Sequence, residues 1–109
     1  MKFVLAIIAD EDAFQIMDLL SEEGFFVTKL ASTGGFLRAG NTTLITCCDD
    51  ARVIEFTRIV EKKCKSRKQV TSVSSAHLSN TENYVPYPVE VTVGGATVIV
   101  MDVADFKKF

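Results

Sequence analysis

The chain opens on "MKFVLAIIA", a continuous apolar run, and passes without a linker into "DEDAF". That junction narrows the fold more than any other feature. An unbroken apolar run of this length fits a buried strand. The period then changes at once. Ala13, Ile16, Met17 and Leu20 recur at spacings of three and four, which makes one apolar helix face. Asp10 is placed as the helix N-cap, and Glu11 and Asp12 favour the positive end of the helix dipole. Gly24 is placed to end the helix. A strand-to-helix unit at the very start must bury one helix face and one sheet face against each other.

The same order returns further on. Phe25 to Ala31 reads as a second strand and Thr42 to Cys48 as a third. Asp49 and Asp50 open a second helix with an apolar stripe of Val53, Phe56, Val60 and Cys64. Lys62, Lys63, Lys65 and Arg67 gather near its C-terminal end, where positive charge is favoured. The polar stretch "SRKQVTSVSSAHLSNTENYVPYP", from Ser66, reads as one long connection. "VEVTV", "GG" and "ATVIVMDV" then predict a hairpin closed by Gly94-Gly95 in a two-residue primed turn. Two β-α-β halves suggest an α+β, ferredoxin-like βαββαβ sandwich with a C-terminal β-hairpin, built as a single domain over residues 1–109. Two helices cover one face of a four-stranded sheet. The other face, with Leu5, Val27 and Ile45 available to one side or the other, needs a partner, and homo-oligomerisation is the simplest solution.

Composition excludes several classes. A net charge of -2 is not that of a DNA- or RNA-binding domain with a basic patch. Met1 to Ala9 is too short to span a bilayer, which takes ~20 residues, and no small-residue cleavage site follows it. No membrane partner or targeting segment is therefore expected, and the setting reads as cytoplasmic. Cys47, Cys48 and Cys64 lack CxxC spacing, which argues against a zinc site or a disulfide scaffold. Neighbours in a strand point to opposite faces, so Cys47 and Cys48 cannot easily share one metal ion. The single histidine, His77, lies in the long polar connection, and no placed nucleophile accompanies it. No metal site, no cofactor and no enzyme activity are expected.

One loop carries chemistry. "TGGFLRAGN", Thr33 to Asn41, holds three glycines, an aromatic and an arginine between two strands. It matches neither a P-loop nor GxGxxG. A flexible hairpin tip explains it. So does a nucleotide site. Gly34-Gly35 can present consecutive N–H groups to an anion. Arg38 can pair with a phosphate through its planar fork. Phe36 offers a base-stacking surface and Asn41 can read an adenine edge.

The segments "TKLASTGGFLRAGNTTL" and "YVPYPVEVTVGGATV", with the closing "KKF", resemble the PII-like cyclic di-AMP receptor family of Gram-positive bacteria over essentially the whole chain. The resemblance implies a non-catalytic homotrimer with sheets facing inward. It also implies cyclic di-AMP as ligand, bound in clefts between subunits, and an unknown downstream protein partner. Thr28, Gly35, Phe36, Leu37 and Asn41 match positions that family members use around the ligand; Arg38 joins them as a phosphate partner. Departures lie nearby. Gly24-Phe25-Phe26 stands where the family typically has Asn-Phe-Arg, Cys47 replaces a glycine, Ile99 an aromatic and Lys108 a glutamine. Each departure removes a contact or narrows the pocket. The alternative is a paralogue on the same scaffold that binds another nucleotide or only a protein.

Overall fold

The computed structural model describes residues 1–30, 40–73 and 87–109. Strand β1 (Lys2–Ala9) runs directly into helix α1 (Asp10–Glu22), followed by strands β2 (Thr28–Leu30) and β3 (Asn41–Cys48). A 3-10 turn (Asp50–Arg52) leads into helix α2 (Val53–Cys64). Strands β4 (Arg67–Val73), β5 (Tyr87–Val93) and β6 (Ala96–Asp102) complete the chain. The four-stranded sheet has the order β2-β3-β1-β6, and β4 and β5 form a separate two-stranded ribbon. Among the described residues every pairing is antiparallel. Two helices on a sheet of this order are compatible with a ferredoxin-like fold.

The core lies between the helices and one sheet face. Val4, Ala6 and Ile8 of β1 alternate inward and are fully buried, and Leu44 joins them from β3. Ile16 and Leu20 of α1 and Phe56, Val60 and Cys64 of α2 are also fully buried. These are the stripes that the three- and four-residue spacings predict, because an amphipathic helix forms where it can bury one stripe. Burying a side chain such as Phe56 stabilises by about 1.5–3 kcal/mol.

Gly24 ends α1 as expected. Its φ of +85 is one that L side chains rarely adopt. Phe25 N–H donates to Leu20 O at 2.9 Å and Gly24 N–H to Ser21 O at 3.0 Å, the paired bonds of a Schellman stop. That stop turns Phe25 inward. Its ring meets Phe56 edge-on at 5.4 Å, and the Arg52 guanidinium lies 4.0 Å above it.

Four expectations are corrected. The N-cap of α1 is Ala9, and Asp10 is the first helical residue. β1 enters the helix without a connecting residue, so the Asp10 carboxylate is free to accept from Thr42 instead. The second strand is Thr28–Leu30 among the described residues, since the Schellman stop takes Phe25 into the core. The polar run from Ser66 is not all connection, because β4 occupies Arg67–Val73. Finally, β5 and β6 do not pair as a hairpin. β5 pairs with β4 and β6 with β1, so Gly94-Gly95 is a corner between two sheets. Both glycines have positive φ, +78 and +98. A Cβ on Gly94 would lie 2.4 Å from Arg67 Nη1 and 2.9 Å from Lys65 O, so only glycine fits where the ribbon leaves the core.

Candidate functional site

The pleat decides what each sheet face carries. Residues opposite one another in an antiparallel pair share a face. Thr28 lies opposite Ile45, Ile45 opposite Leu5, and Leu5 opposite Ile99. Cys47, Phe3 and Met101 form the next row, and Leu30, Thr43, Ile7 and Thr97 the row on the other side. This is the face turned away from the helices. An antiparallel sheet commonly sets a polar face toward solvent, yet this one carries Leu5, Ile45, Ile99, Phe3 and Met101. Ile99 and Met101 are 39% and 45% exposed, and no described element packs over them.

Thr28 is exposed on that face. Asn41 is half-buried at the start of β3, opposite Ala9. It stands four steps along β3 from Ile45, the partner of Thr28, a distance of about 13 Å at ~3.3 Å per residue. Asp10 N–H donates to Gly40 O at 2.8 Å, which holds the start of β3 against the start of α1. Thr28 and Asn41 thus stand on adjacent strands and flank the segment 31–39. Gly35, Phe36, Leu37 and Arg38 lie outside the described residues, as does His77.

Two of the departures from the family pattern share this face. Cys47 and Ile99 both belong to it, and Lys108 lies in the exposed tail after β6. Phe26 is 93% exposed despite being apolar. It borders two clefts. One, of about 400 Å³, brings Asp18 and Ser21 of α1 beside Phe26 and Thr28. The other, of about 240 Å³, sets Phe26 beside Cys47, Asp49 and Arg52. Asp18 and Ser21 were not expected near the site. Their three-residue spacing puts them on one helix side, but only the chain's return after Gly24 brings that side to Thr28.

The alternation of the adjacent cysteines follows the pleat. Cys47 is exposed and Cys48 buried. Burial pushes the Cys48 thiol above its ordinary value, with the nearby Arg52 guanidinium opposing. Arg52 itself is engaged. It donates to Glu23 O at 2.6 Å and pairs with Glu55 at 3.2 Å. Among the described residues no group of three or more His, Cys, Asp or Glu side chains is arranged to hold a metal ion. Among them, too, no helix is long and apolar enough to cross a membrane.

Comparison with known proteins agrees with this layout. A crystal structure of a functionally unknown protein from Pediococcus pentosaceus ATCC 25745 is 37% identical and superposes with a TM-score of 0.79. The match covers 99% of this chain and 96% of that one. The family model described as "Cyclic-di-AMP receptor" matches residues 1–109, the full sequence. With a receptor-family pattern running from the first residue to the last, the chain belongs to the cyclic-di-AMP receptor family.

Proposed function

We propose that this protein is a non-catalytic, PII-like signal receptor, one cytoplasmic domain that assembles as a homotrimer and binds cyclic di-AMP in the clefts between subunits. The observation that carries this reading is the shared row Thr28–Ile45–Leu5–Ile99. A ligand position of the family stands on the one apolar face that the described residues leave uncovered. Covering that face with further copies removes apolar surface from water and builds the pocket wall in the same step. Beside Thr28 and Asn41, the residues Gly35, Phe36, Leu37 and Arg38 complete the site. Phe36 stacks on an adenine, Asn41 reads its edge, Gly35 lets the backbone approach, Leu37 walls the pocket and Arg38 meets a phosphate. Binding then passes to a downstream protein.

A second reading has its own support in Phe26, Cys47 and Ile99. All three stand at or beside the face that carries Thr28, and each departs from the family pattern. A phenyl ring cannot supply the charge-assisted bonds of a guanidinium, so the ligand preference of this chain shifts or its affinity falls. Light scattering and calorimetry separate the readings. The trimer gives about three times the 12.0 kDa chain mass, and a monomer at micromolar concentration removes the inter-subunit pocket. In titrations with cyclic di-AMP, cyclic di-GMP and ATP, cyclic di-AMP binds. Phe36→Ala weakens it by ~1–3 kcal/mol, the scale of a base–aromatic stack. Phe26→Arg strengthens it. No binding of cyclic di-AMP by the wild type or by Phe26→Arg hands the site to another nucleotide or to a protein partner.

A further inference from the structure

Three consecutive acidic residues open α1, and each holds a different part of the chain. The Asp10 carboxylate accepts from the Thr42 hydroxyl, and the Asp10 N–H donates to Gly40 O at 2.8 Å. Both contacts fasten the start of β3. Glu11 Oε1 accepts from the Gly94 N–H at 3.3 Å. Asp12 accepts a two-pronged contact from Arg67, 2.8 Å from Nη2 to Oδ1 and 3.3 Å from Nη1 to Oδ2. These fasten both strands of the β4–β5 ribbon at its root. The Asp12 side chain is 7% exposed while Arg67 is 44% exposed, so the ribbon reaches inward to a buried carboxylate. The fit at the root is close, since a Cβ on Gly94 would collide with Arg67 Nη1. Gly95 N–H closes the corner on Cys64 O at 2.6 Å.

The geometry points to the first turn of α1 as a joint between the start of β3 and the root of the ribbon. Asp10 lies on one side of it, and Glu11 with Asp12 on the other. The helix dipole explains why three acidic residues are tolerated together at this end. It does not explain why each one is hydrogen-bonded to a different distant residue. A helical turn is stiff, so a shift of β3 that moves Asp10 also moves Glu11 and Asp12, and the ribbon with them. Asp12 and Arg67 are accordingly positioning residues. The use of the joint in signalling rests on the ligand reading above, because Asn41 begins the strand that the joint fastens. The coupling itself does not rest on it.

Amide hydrogen exchange on the ligand-free full-length protein tests the coupling first. Thr42→Val removes the hydroxyl and keeps the shape. The Gly94 and Gly95 amides are expected to exchange at least about twofold faster, the low end of couplings carried through packed networks. Thr42→Ser restores the wild-type rate. In the reverse direction Arg67→Gln speeds exchange at Asp10 and Thr42, while Arg67→Lys has a smaller effect. Unchanged exchange at the far end in both directions overturns the joint, as does strict additivity in the Thr42→Val, Arg67→Gln double variant. If Thr42→Val does not fold, the Arg67 pair and its readout at Asp10 and Thr42 decide alone. Cyclic di-AMP is then added. The wild type gains protection in the ribbon, and Asp12→Asn keeps the calorimetric affinity and loses that response. If neither the wild type nor Phe26→Arg binds cyclic di-AMP, the ligand reading fails, and the joint then stands or falls on the ligand-free exchange.

Discussion

The four-stranded sheet and the β4–β5 ribbon are both antiparallel and are held in different ways. The sheet rests on buried side chains. Val4, Ala6, Ile8, Leu44, Phe56 and Val60 exclude solvent completely. Of the ribbon's strand β4, residues Arg67 to Val70 are all exposed, Val70 by 67%. Its cross-strand pair Lys68–Glu90, at 3.1 Å, is solvated on both sides and adds little. A two-stranded ribbon alone is marginally stable in water. This one is held by its backbone ladder and by the polar contacts at its root. Burial fixes an element along its length, whereas root contacts fix only where it starts. Among the described residues, one chain therefore combines a layer fixed by burial with an arm whose polar contacts to that layer lie at its root.

The contrast can be broken at several points. The largest effect is expected at Phe56, which packs against Phe25 and fills the space between α2 and the sheet. Phe56→Ala should cost about 3–5 kcal/mol in denaturant unfolding, by lost transfer energy and a residual cavity. The whole sheet should unfold as one unit. A transition that spares the sheet and melts only the ribbon would contradict the division drawn above.

Gly94→Ala acts on the other region. It places a Cβ at positive φ and against Arg67 and Lys65 O. A cost of about 1–3 kcal/mol is expected from the strained backbone. Hydrogen exchange should locate that cost in β4 and β5, with the β1 amides unchanged. Equal loosening of β1 would mean that the ribbon and the sheet form one cooperative unit.

The smallest expected effect comes from Cys64, the last residue of α2, whose carbonyl receives the ribbon's corner. Burial pushes its thiol up to about 11, with Asp12 adding to the shift and Arg67 opposing it. The folded value lies above the ordinary 9.0. Its stability contribution is therefore complete below pH 9 and is lost as pH rises from 9 toward about 11. About 1 kcal/mol should be gone by roughly pH 10. Cys64→Val should flatten that slope in alkaline unfolding curves, and a slope unchanged by the substitution would assign it to other groups.

The region held by burial was legible in the sequence, and the arm was not. Apolar residues at strand and helix periods announce burial, so β1, α1, α2 and the Gly24 stop could be read directly. "RKQVTSV" has no such period, and its residues Arg67 to Val70 are all exposed rather than packed into a core. By sequence alone it is indistinguishable from the polar connection that follows it. Gly94-Gly95 between β-branched runs carries the signature of a hairpin, and both glycines do take positive φ. Which strands then pair depends on β1 and β4, far away in sequence. In the sequence the acidic triplet is best explained by helix capping and the helix dipole. Its partners are 32, 83 and 55 residues away, and no local pattern reports contacts at that range. Within the site, Asn41 could be named from the chemistry of its loop, and Thr28 only through family resemblance. Nothing in the period of the chain places them on neighbouring strands.

The pleat at Cys47 and Cys48 has one more consequence, which is kinetic. Two identical thiols sit one peptide apart, one on the open face and one in the core. Their reaction rates with a small alkylating reagent report two different events. Cys48 reacts only as fast as the layer between helices and sheet opens. If copies assemble over its face of the sheet, as proposed above, Cys47 reacts only in the chains that are unassembled. Cys48 is thus an internal clock for unfolding, and Cys47 beside it is a counter for the proposed association, both read in one experiment without adding a label.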